Sequence, residues 1–271
     1  MTKMFSKLLA LCVVQANVWG GVAFVVQAPN ARANLSQRQA LVGGGDDILV
    51  QGGSLKTWSF RSPAVERVKV ELSTEGRPLN ADVELWQGPD NTPHKMRVYI
   101  EDGALRPFSA FVETPRGPNT IAIRNTSQME FPLSANVAAD NGSIDSLAAD
   151  SVPMTIQGGA LRTYSFDPSV ESVQVLLKTD GRPLNSRIEL LQGPNNNKQV
   201  IELYTEDGMD RPFFIVLESP GSGNVVRIVN AATMEFPLSA WVEPYKIGTY
   251  DANADVVMGG DSDGSFMLGG R

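Results

Sequence analysis

One segment of this chain occurs twice in the amino-acid sequence. Residues 157–242 repeat residues 51–137. Three motifs recur in the same order: Gly-Arg-Pro-Leu-Asn, Glu-Leu-x-Gln-Gly-Pro and Met-Glu-Phe-Pro-Leu-Ser-Ala. From Gly76 to Gly181 the offset is 105 residues, and it then holds without a gap. A unit of roughly 90 residues is too long for a solenoid repeat and long enough to have its own core. The chain therefore predicts two tandem homologous domains related by internal duplication.

Each copy consists of short runs in which apolar and polar residues alternate. Val68, Val70 and Leu72 alternate with Lys69 and Glu71, which predicts one buried and one solvent-facing side of a strand. Neither copy contains an apolar stripe of helical length. The first copy predicts seven strands, at residues 55–60, 67–73, 82–86, 95–101, 108–113, 120–125 and 133–137. This density predicts an all-β fold of two antiparallel β-sandwich-like domains with extended N- and C-terminal segments.

Several of the repeated motifs contain residues that favour turns. Gly76-Arg77-Pro78 and Gly181-Arg182-Pro183 place a residue that is free to take positive φ before a proline, which predicts a bend between strands. Gln87-Gly88-Pro89 and its copy are expected to end a strand, because proline cannot donate to a β-ladder.

The word Glu-Asp-Gly-x-x-Arg-Pro-Phe brings two carboxylates close to a guanidinium. Its charged residues are Glu101, Asp102 and Arg106 in the first copy and Glu206, Asp207 and Arg211 in the second. We expect an ion pair that pins a hairpin, with a role in an interface as the alternative. A glycosidase pair is excluded on geometry, because adjacent strand residues leave opposite faces of a sheet.

Charge and residue counts exclude several classes of function. The net charge of −7 leaves the first copy neutral and the second copy at −3, so no basic face predicts a nucleic-acid partner. The chain has one cysteine, Cys12, and one histidine, His94. A structural disulfide, a Cys/His zinc site and a Ser/His or Cys/His nucleophile pair are therefore not expected within one chain. We predict no enzyme, no metal and no cofactor.

The N-terminus has the order of a targeting sequence. Lys3 and Lys7 precede a short apolar run that ends in small residues, which predicts a signal peptide over residues 1–23 and no transmembrane segment in the mature protein. Residues 24–45 contain no acidic residue and carry Arg32 and Arg38, as in a transit peptide. An aromatic residue, Phe24, at this junction resembles the bipartite plastid address of diatoms. Plain secretion is the alternative.

The two connecting segments are polar. Residues 138–156 read as a linker whose end, with Met154 and Ile156, has the pattern of a strand, and residues 46–50 precede the first copy in the same way. The acidic tail, residues 243–271, predicts disorder by composition, but its apolar clusters favour docking on a neighbouring subunit. The candidate assembly interface comprises these clusters and one tryptophan that replaces an asparagine of the first copy: Val256, Val257, Met258, Phe266, Met267, Leu268 and Trp241.

Taken as a set, the plastid-type leader, the three duplicated words and the Gly-rich acidic tail resemble the pyrenoid-shell proteins (PyShell) of diatoms. The resemblance covers nearly the whole chain beyond the leader. It implies a self-assembling structural protein that forms a sheet around the Rubisco-containing pyrenoid of the plastid and supports CO2 concentration and carbon fixation. The implied partners are other copies of the chain, and then other shell proteins and Rubisco or the pyrenoid matrix.

Two other classes of function remain as alternatives. A tandem carbohydrate- or ligand-binding module of the plastid or secretory pathway could use Trp86 and Trp241 as platforms, but their counterparts Leu191 and Asn136 are not aromatic. Trp58 and Tyr164, which share a repeat position, are expected in the core. A carbonic anhydrase would need zinc ligands that a single histidine does not supply.

Overall fold

All regular secondary structure in the described residues is β-strand. The computed structural model describes residues 47–140 and 151–248. The strands are β1 (Ile48–Val50), β2 (Leu55–Phe60), β3 (Arg67–Ser73), β4 (Leu79–Trp86), β5 (His94–Ile100), β6 (Phe108–Glu113), β7 (Asn119–Asn125), β8 (Leu133–Ala139), β9 (Met154–Ile156), β10 (Leu161–Ser165), β11 (Val170–Lys178), β12 (Leu184–Gln192), β13 (Asn197–Thr205), β14 (Phe213–Glu218), β15 (Asn224–Asn230) and β16 (Leu238–Ile247). The first copy supplies β1 to β8, and the second supplies β9 to β16.

The strands form two antiparallel sheets of eight strands each. Sheet A has the order β1-β8-β3-β6-β14-β11-β16-β9, and sheet B has the order β10-β15-β12-β13-β5-β4-β7-β2. Each sheet takes four neighbouring strands from each copy. The predicted all-β, antiparallel, sandwich-like class is confirmed. No helix in the described residues is long and apolar enough to cross a membrane.

The core lies between the two sheets and is continuous across both copies. Along β5 buried and exposed residues alternate strictly, with Met96, Val98 and Ile100 pointing inward. Val70 of the first copy and Val175 of the second belong to the same buried cluster. Each such side chain contributes about 1.5–3 kcal/mol when it is removed from water. The duplication therefore builds one core from two sets of alternating residues.

The copies meet edge to edge at the centre of both sheets. In sheet A, β6 pairs with β14 and Ala110 lies opposite Ile215. In sheet B, β5 pairs with β13 and Arg97 lies opposite Glu202. In both cases a residue faces its own counterpart in the other copy, so a pseudo-two-fold axis passes through the two pairs. We call these two strand pairs the central joint.

The turn predictions are confirmed where the structure describes them. Gly76 and Gly181 have φ values of 71° and 91°, and Gly88, which follows the end of β4, has a φ of 77°. The limits of β5, β7 and β8 differ from the predicted ones by one or two residues, and two differences are larger. β4 begins at Leu79 because the alternation of buried residues extends back to it, and β16 continues past Val242 to Ile247 alongside β11.

Candidate assembly surfaces

The repeated arginine of the Arg-Pro-Phe word connects the two copies. Arg106 Nη2 donates to Oε1 of Gln192 at 3.0 Å, and Arg211 Nη2 donates to Oε1 of Gln87 at 2.9 Å. Both arginines are almost fully buried, with 3% and 5% of their surface exposed. The predicted ion pair within one motif is thus replaced by a reciprocal bond between copies, because the guanidinium reaches across the central joint.

The carboxylates of the motif have other partners. Asp102 Oδ1 accepts the backbone N–H groups of Ala104 and Leu105, and so caps the turn. Glu101 forms an ion pair of 2.6 Å with Lys198 of the second copy. Burial lowers the pKa of Arg106, while Glu101 and Asp102 oppose that shift from a distance. The motif therefore belongs to the contact between the two copies within one chain.

The same pattern continues in the second copy. Asp207 Oδ1 accepts the N–H groups of Met209 and Asp210, and Glu206 donates its backbone N–H to the carbonyl of Pro93 at 2.9 Å. Burial lowers the pKa of Arg211, and Arg116 of the first copy adds to that shift. The two motifs are therefore equivalent in structure as well as in sequence.

A second pair of repeated arginines binds inside each copy. Arg77 Nη1 donates to the carbonyl of Glu130 at 3.2 Å and lies over the ring of Phe131. Arg182 repeats this arrangement with Glu235 and Phe236, with a donor-acceptor distance of 2.8 Å. The arginine of the Gly-Arg-Pro motif thus contacts the Met-Glu-Phe-Pro motif of its own copy through a hydrogen bond and a cation–π interaction.

Trp241 lies on the outer face of sheet A, away from the core between the sheets. It packs against a second buried cluster formed by Leu176, Phe214 and Val216, with Phe111 alongside. These outward side chains are only 1%, 7% and 8% exposed. The indole Nε1 donates to the carbonyl of Ser151 at 3.2 Å. We call this group of five apolar side chains the outer-face cluster.

The outer-face cluster distinguishes one copy from the other. The counterparts of Leu176, Phe214 and Trp241 in the first copy are Glu71, Ser109 and Asn136, all polar. The two halves of the outer face of sheet A therefore differ in character although their backbones correspond. The replacement of asparagine by tryptophan was the only part of this difference that the sequence singled out.

The ends of both sheets offer further candidate surfaces. In the described residues sheet A ends in β1 and β9, which are equivalent and lie at opposite ends. Leu49 in β1 is 56% exposed, and Met154 in β9 is 47% exposed. Beyond the short β9, β16 carries the exposed residues Tyr245 and Ile247. Open sheet edges with apolar side chains are templates for pairing with another chain.

The aromatic positions considered for ligand binding have structural roles. Trp58 and Tyr164 pack against the main core, as the repeat pattern predicts. Trp86 is partly buried, and its Nε1 donates to Oε2 of Glu84 at 2.8 Å. With Trp241 packed in the outer-face cluster, the two tryptophans considered as sugar platforms lie on different sheets.

His94 is buried in the core with 2% exposure. Burial, assisted by the nearby Arg211 guanidinium, lowers its pKa to about 3. Its counterpart in the second copy, Gln199, is also fully buried. In the described residues no three His, Cys, Asp or Glu side chains come together as a metal site.

Some predicted residues lie outside the described part of the chain. These are the leader residues and the tail candidates Val256, Val257, Met258, Phe266, Met267 and Leu268. Sequence reasoning missed Gln87, Gln192 and Lys198 as residues of the contact between copies. The repetition of Gln-Gly-Pro was the available signal for the glutamines, but it also fits a strand end.

The fold and these surfaces define a class of protein: a duplicated, two-sheet antiparallel sandwich in which polar residues of the repeated motifs form hydrogen bonds between the two copies. Residues 42–244 match the family described as "Diatom pyrenoid shell protein". The chain belongs to the diatom pyrenoid shell protein family, which supports a structural role in the pyrenoid shell and a location at the pyrenoid of the plastid.

Two solved structures show a distant likeness to the chain. The PBSX exported protein XepA is 10% identical with a TM-score of 0.25, over 72% of this chain and 85% of that one. Vicilin from hazelnut, Corylus avellana, is 8% identical with a TM-score of 0.21, over 81% and 85% of the two chains. No curated protein matches the chain.

Proposed function

We propose that this chain is a self-assembling structural protein, not an enzyme, and that copies of it form a sheet-like shell around the Rubisco-containing pyrenoid. The shell would lie at the pyrenoid periphery in the plastid stroma and support CO2 concentration and carbon fixation. The proposed route to this place is the bipartite leader, residues 1–45. Family membership supports the structural role.

One observation carries the self-assembly: within the described residues the two ends of sheet A are equivalent, and neither β1 nor β9 pairs with a further strand. β1 and β9 occupy matching positions at opposite ends of sheet A, each with exposed apolar residues. A contact between one end of a molecule and the opposite end of the next leaves a free edge at each terminus. Such a contact continues as an open array instead of closing into a small ring.

The two halves of the outer face of sheet A favour different partners. The second copy supplies four of the five side chains of the outer-face cluster and has a net charge of −3, whereas the first copy is neutral and has Glu71, Ser109 and Asn136 at the positions of Leu176, Phe214 and Trp241. Complementary charge contributes more to the choice of partner than to raw affinity. We propose that other shell proteins and Rubisco or the pyrenoid matrix contact these faces.

The tail is proposed as an additional contact between subunits. Its clusters Val256-Val257-Met258 and Phe266-Met267-Leu268 would each gain by burial against a neighbour. A protein that ends at Gly248, which keeps all of β16, is expected to associate less than the complete chain. The matched control keeps the full length and changes only Phe266, Met267 and Leu268 to serine. Undiminished association of both variants would refute the tail contact.

The main test is direct observation of assembly. Residues 34–271 are purified and studied by negative-stain electron microscopy, with light scattering at several salt and protein concentrations. Sheets or tubes with a regular repeat are expected. A monodisperse monomer under every condition would contradict self-assembly by this chain alone.

A further inference from the structure

The residues at the pseudo-two-fold axis are not alike, although the axis places counterparts opposite each other. In sheet A, Ala110 faces Ile215, and neither side chain has any exposed surface. In sheet B, Arg97 faces Glu202, and Arg97 Nη1 lies 4.0 Å from Glu202 Oε2. A joint between two identical copies would place identical residues at both points. The chain instead has a small residue against a large one and a cation against an anion.

The core pair depends on this difference in size. Protein interiors are close-packed, so both a void and an overfilled site cost stability. If a first copy paired with another first copy, two alanines would meet and leave a gap. If a second copy paired with another second copy, two isoleucines would crowd the same place. Ala110 with Ile215 avoids both conditions.

The charged residues on the outer face of sheet B also fit together only when a first copy meets a second copy, and they do so over four strands. Asp82, Arg97, Glu202 and Arg187 lie in one register row across β4, β5, β13 and β12. The flanking ion pairs are 3.2 Å for Asp82 with Arg97 and 3.3 Å for Arg187 with Glu202.

Under the pseudo-symmetry this row reverses its charges, because Asp82 corresponds to Arg187 and Arg97 corresponds to Glu202. The signs therefore alternate only when a first copy meets a second copy. A pairing of like copies would bring two arginines or two glutamates together at the axis, where like charges directly opposite destabilise a sheet.

We propose that the central joint is selective: the β5 and β6 edges of the first copy accept the β13 and β14 edges of a second copy and reject another first copy. Size complementarity in the core and charge complementarity on the surface both act toward this choice. The joint therefore forms between the halves of one chain and resists exchange of like halves between chains. This selectivity is independent of the proposed shell function.

The core pair can be tested because single substitutions reproduce the like pairings inside one chain. Ile215→Ala places alanine against alanine, and Ala110→Ile places isoleucine against isoleucine. In urea unfolding of residues 34–271, followed by tryptophan fluorescence, we expect the folding equilibrium constant to fall about 30-fold or more for Ile215→Ala. For Ala110→Ile we expect about 10-fold. The exchanged variant with both substitutions should return to within about fivefold of the wild type.

The charge row provides a second test at side chains that are partly exposed to solvent. Arg187→Asp with Glu202→Arg reproduces the arginine pairing, and Asp82→Arg with Arg97→Glu reproduces the glutamate pairing. Each double variant is expected to lower the folding equilibrium constant about fivefold at low salt. The fourfold variant restores the alternation among these four residues and should recover part of the loss, because Arg124 opposite Asp82 and Glu189 beside Arg187 keep their charges. At about 1 M NaCl the differences should shrink, because salt screens exposed charges.

Recovery in the exchanged core variant or in the fourfold charge variant supports selectivity at that pair. If the exchanged core variant does not fold, the charge variants decide. Losses that multiply independently in both sets, with no recovery, would overturn the proposal.

Discussion

Arg106 Nη2 lies 3.0 Å from Gln192 Oε1, and this bond ties the first copy of the repeat to the second across 86 residues of sequence. Its counterpart, from Arg211 to Gln87, returns the connection in the opposite direction. Each glutamine also donates through Nε2 to loop carbonyls of its own copy, at Pro115 in the first copy. The two bonds therefore anchor a loop of each copy to a buried cation of the other.

We predict that removing either arginine destabilises the fold by a similar amount. Arg106→Met keeps an apolar stem but leaves Gln192 Oε1 without its charged donor, which should cost about 1.5–3 kcal/mol in the free energy of unfolding. Arg211→Met should cost about the same. The matched control is Arg124→Met on the exposed surface, expected within about 0.5 kcal/mol of the wild type. Urea unfolding measures all three, and unchanged stability of the buried variants would mean that desolvation offsets the bond.

We predict a pH dependence that belongs to His94. Because its pKa is about 3 in the folded state and 6.5 without burial, the unfolded chain takes up a proton that the folded chain does not. Stability is therefore complete above about pH 6.5 and falls as the pH drops toward 3, by about 2 kcal/mol between pH 7 and pH 5.

The second copy provides a natural replacement for this test. His94→Gln introduces the residue found at the equivalent buried position, Gln199. Its free energy of unfolding, measured by urea titration at several pH values, should lose this slope between pH 7 and pH 5. An equal slope in the wild type and the variant would assign the dependence to other groups.

We predict that two adjacent glycines respond differently to alanine. A Cβ at Gly52 would lie 1.8 Å from the backbone oxygen of Gln128, whereas a Cβ at Gly53 meets nothing within 4 Å. Gly53 has a φ of 74°, so its substitution costs only backbone strain, about 1 kcal/mol. Gly52→Ala must displace the backbone and should cost about 3 kcal/mol or more. Thermal unfolding of both variants checks the order, and equal losses would contradict the close approach.

We predict that charge at the sheet edges weakens assembly. Leu49→Lys in β1 and Met154→Lys in β9 each place a cation on an exposed apolar edge, a known means of preventing edge pairing. Light scattering should show smaller particles for each variant and the smallest for the two combined. Tyr99→Lys, on the outer face of sheet B near the central joint, is the control and should assemble normally. Equal loss in the control and the edge variants would place the contact elsewhere.

Much of the fold follows from local signals, and the contact between copies does not. The runs around Val68, Val70 and Leu72 predicted β3 because alternation reports directly on a half-buried strand. Gly76 predicted its own positive φ because few other residues adopt it without strain. Arg106 gave no such signal. Nearby carboxylates favoured an ion pair, but the guanidinium is oriented by a partner far away in sequence.

The amino-acid sequence by itself determined the duplication, the all-β class and most strand and turn positions, because these depend on neighbours a few residues apart. The tertiary structure alone decided that β6 pairs with β14 and β5 with β13, so that two copies share two sheets and one core. Strand edges are chemically alike along the backbone, and the choice among them depends on how well distant side chains fit. That fit, as in Ala110 against Ile215, exists only when the whole chain is folded.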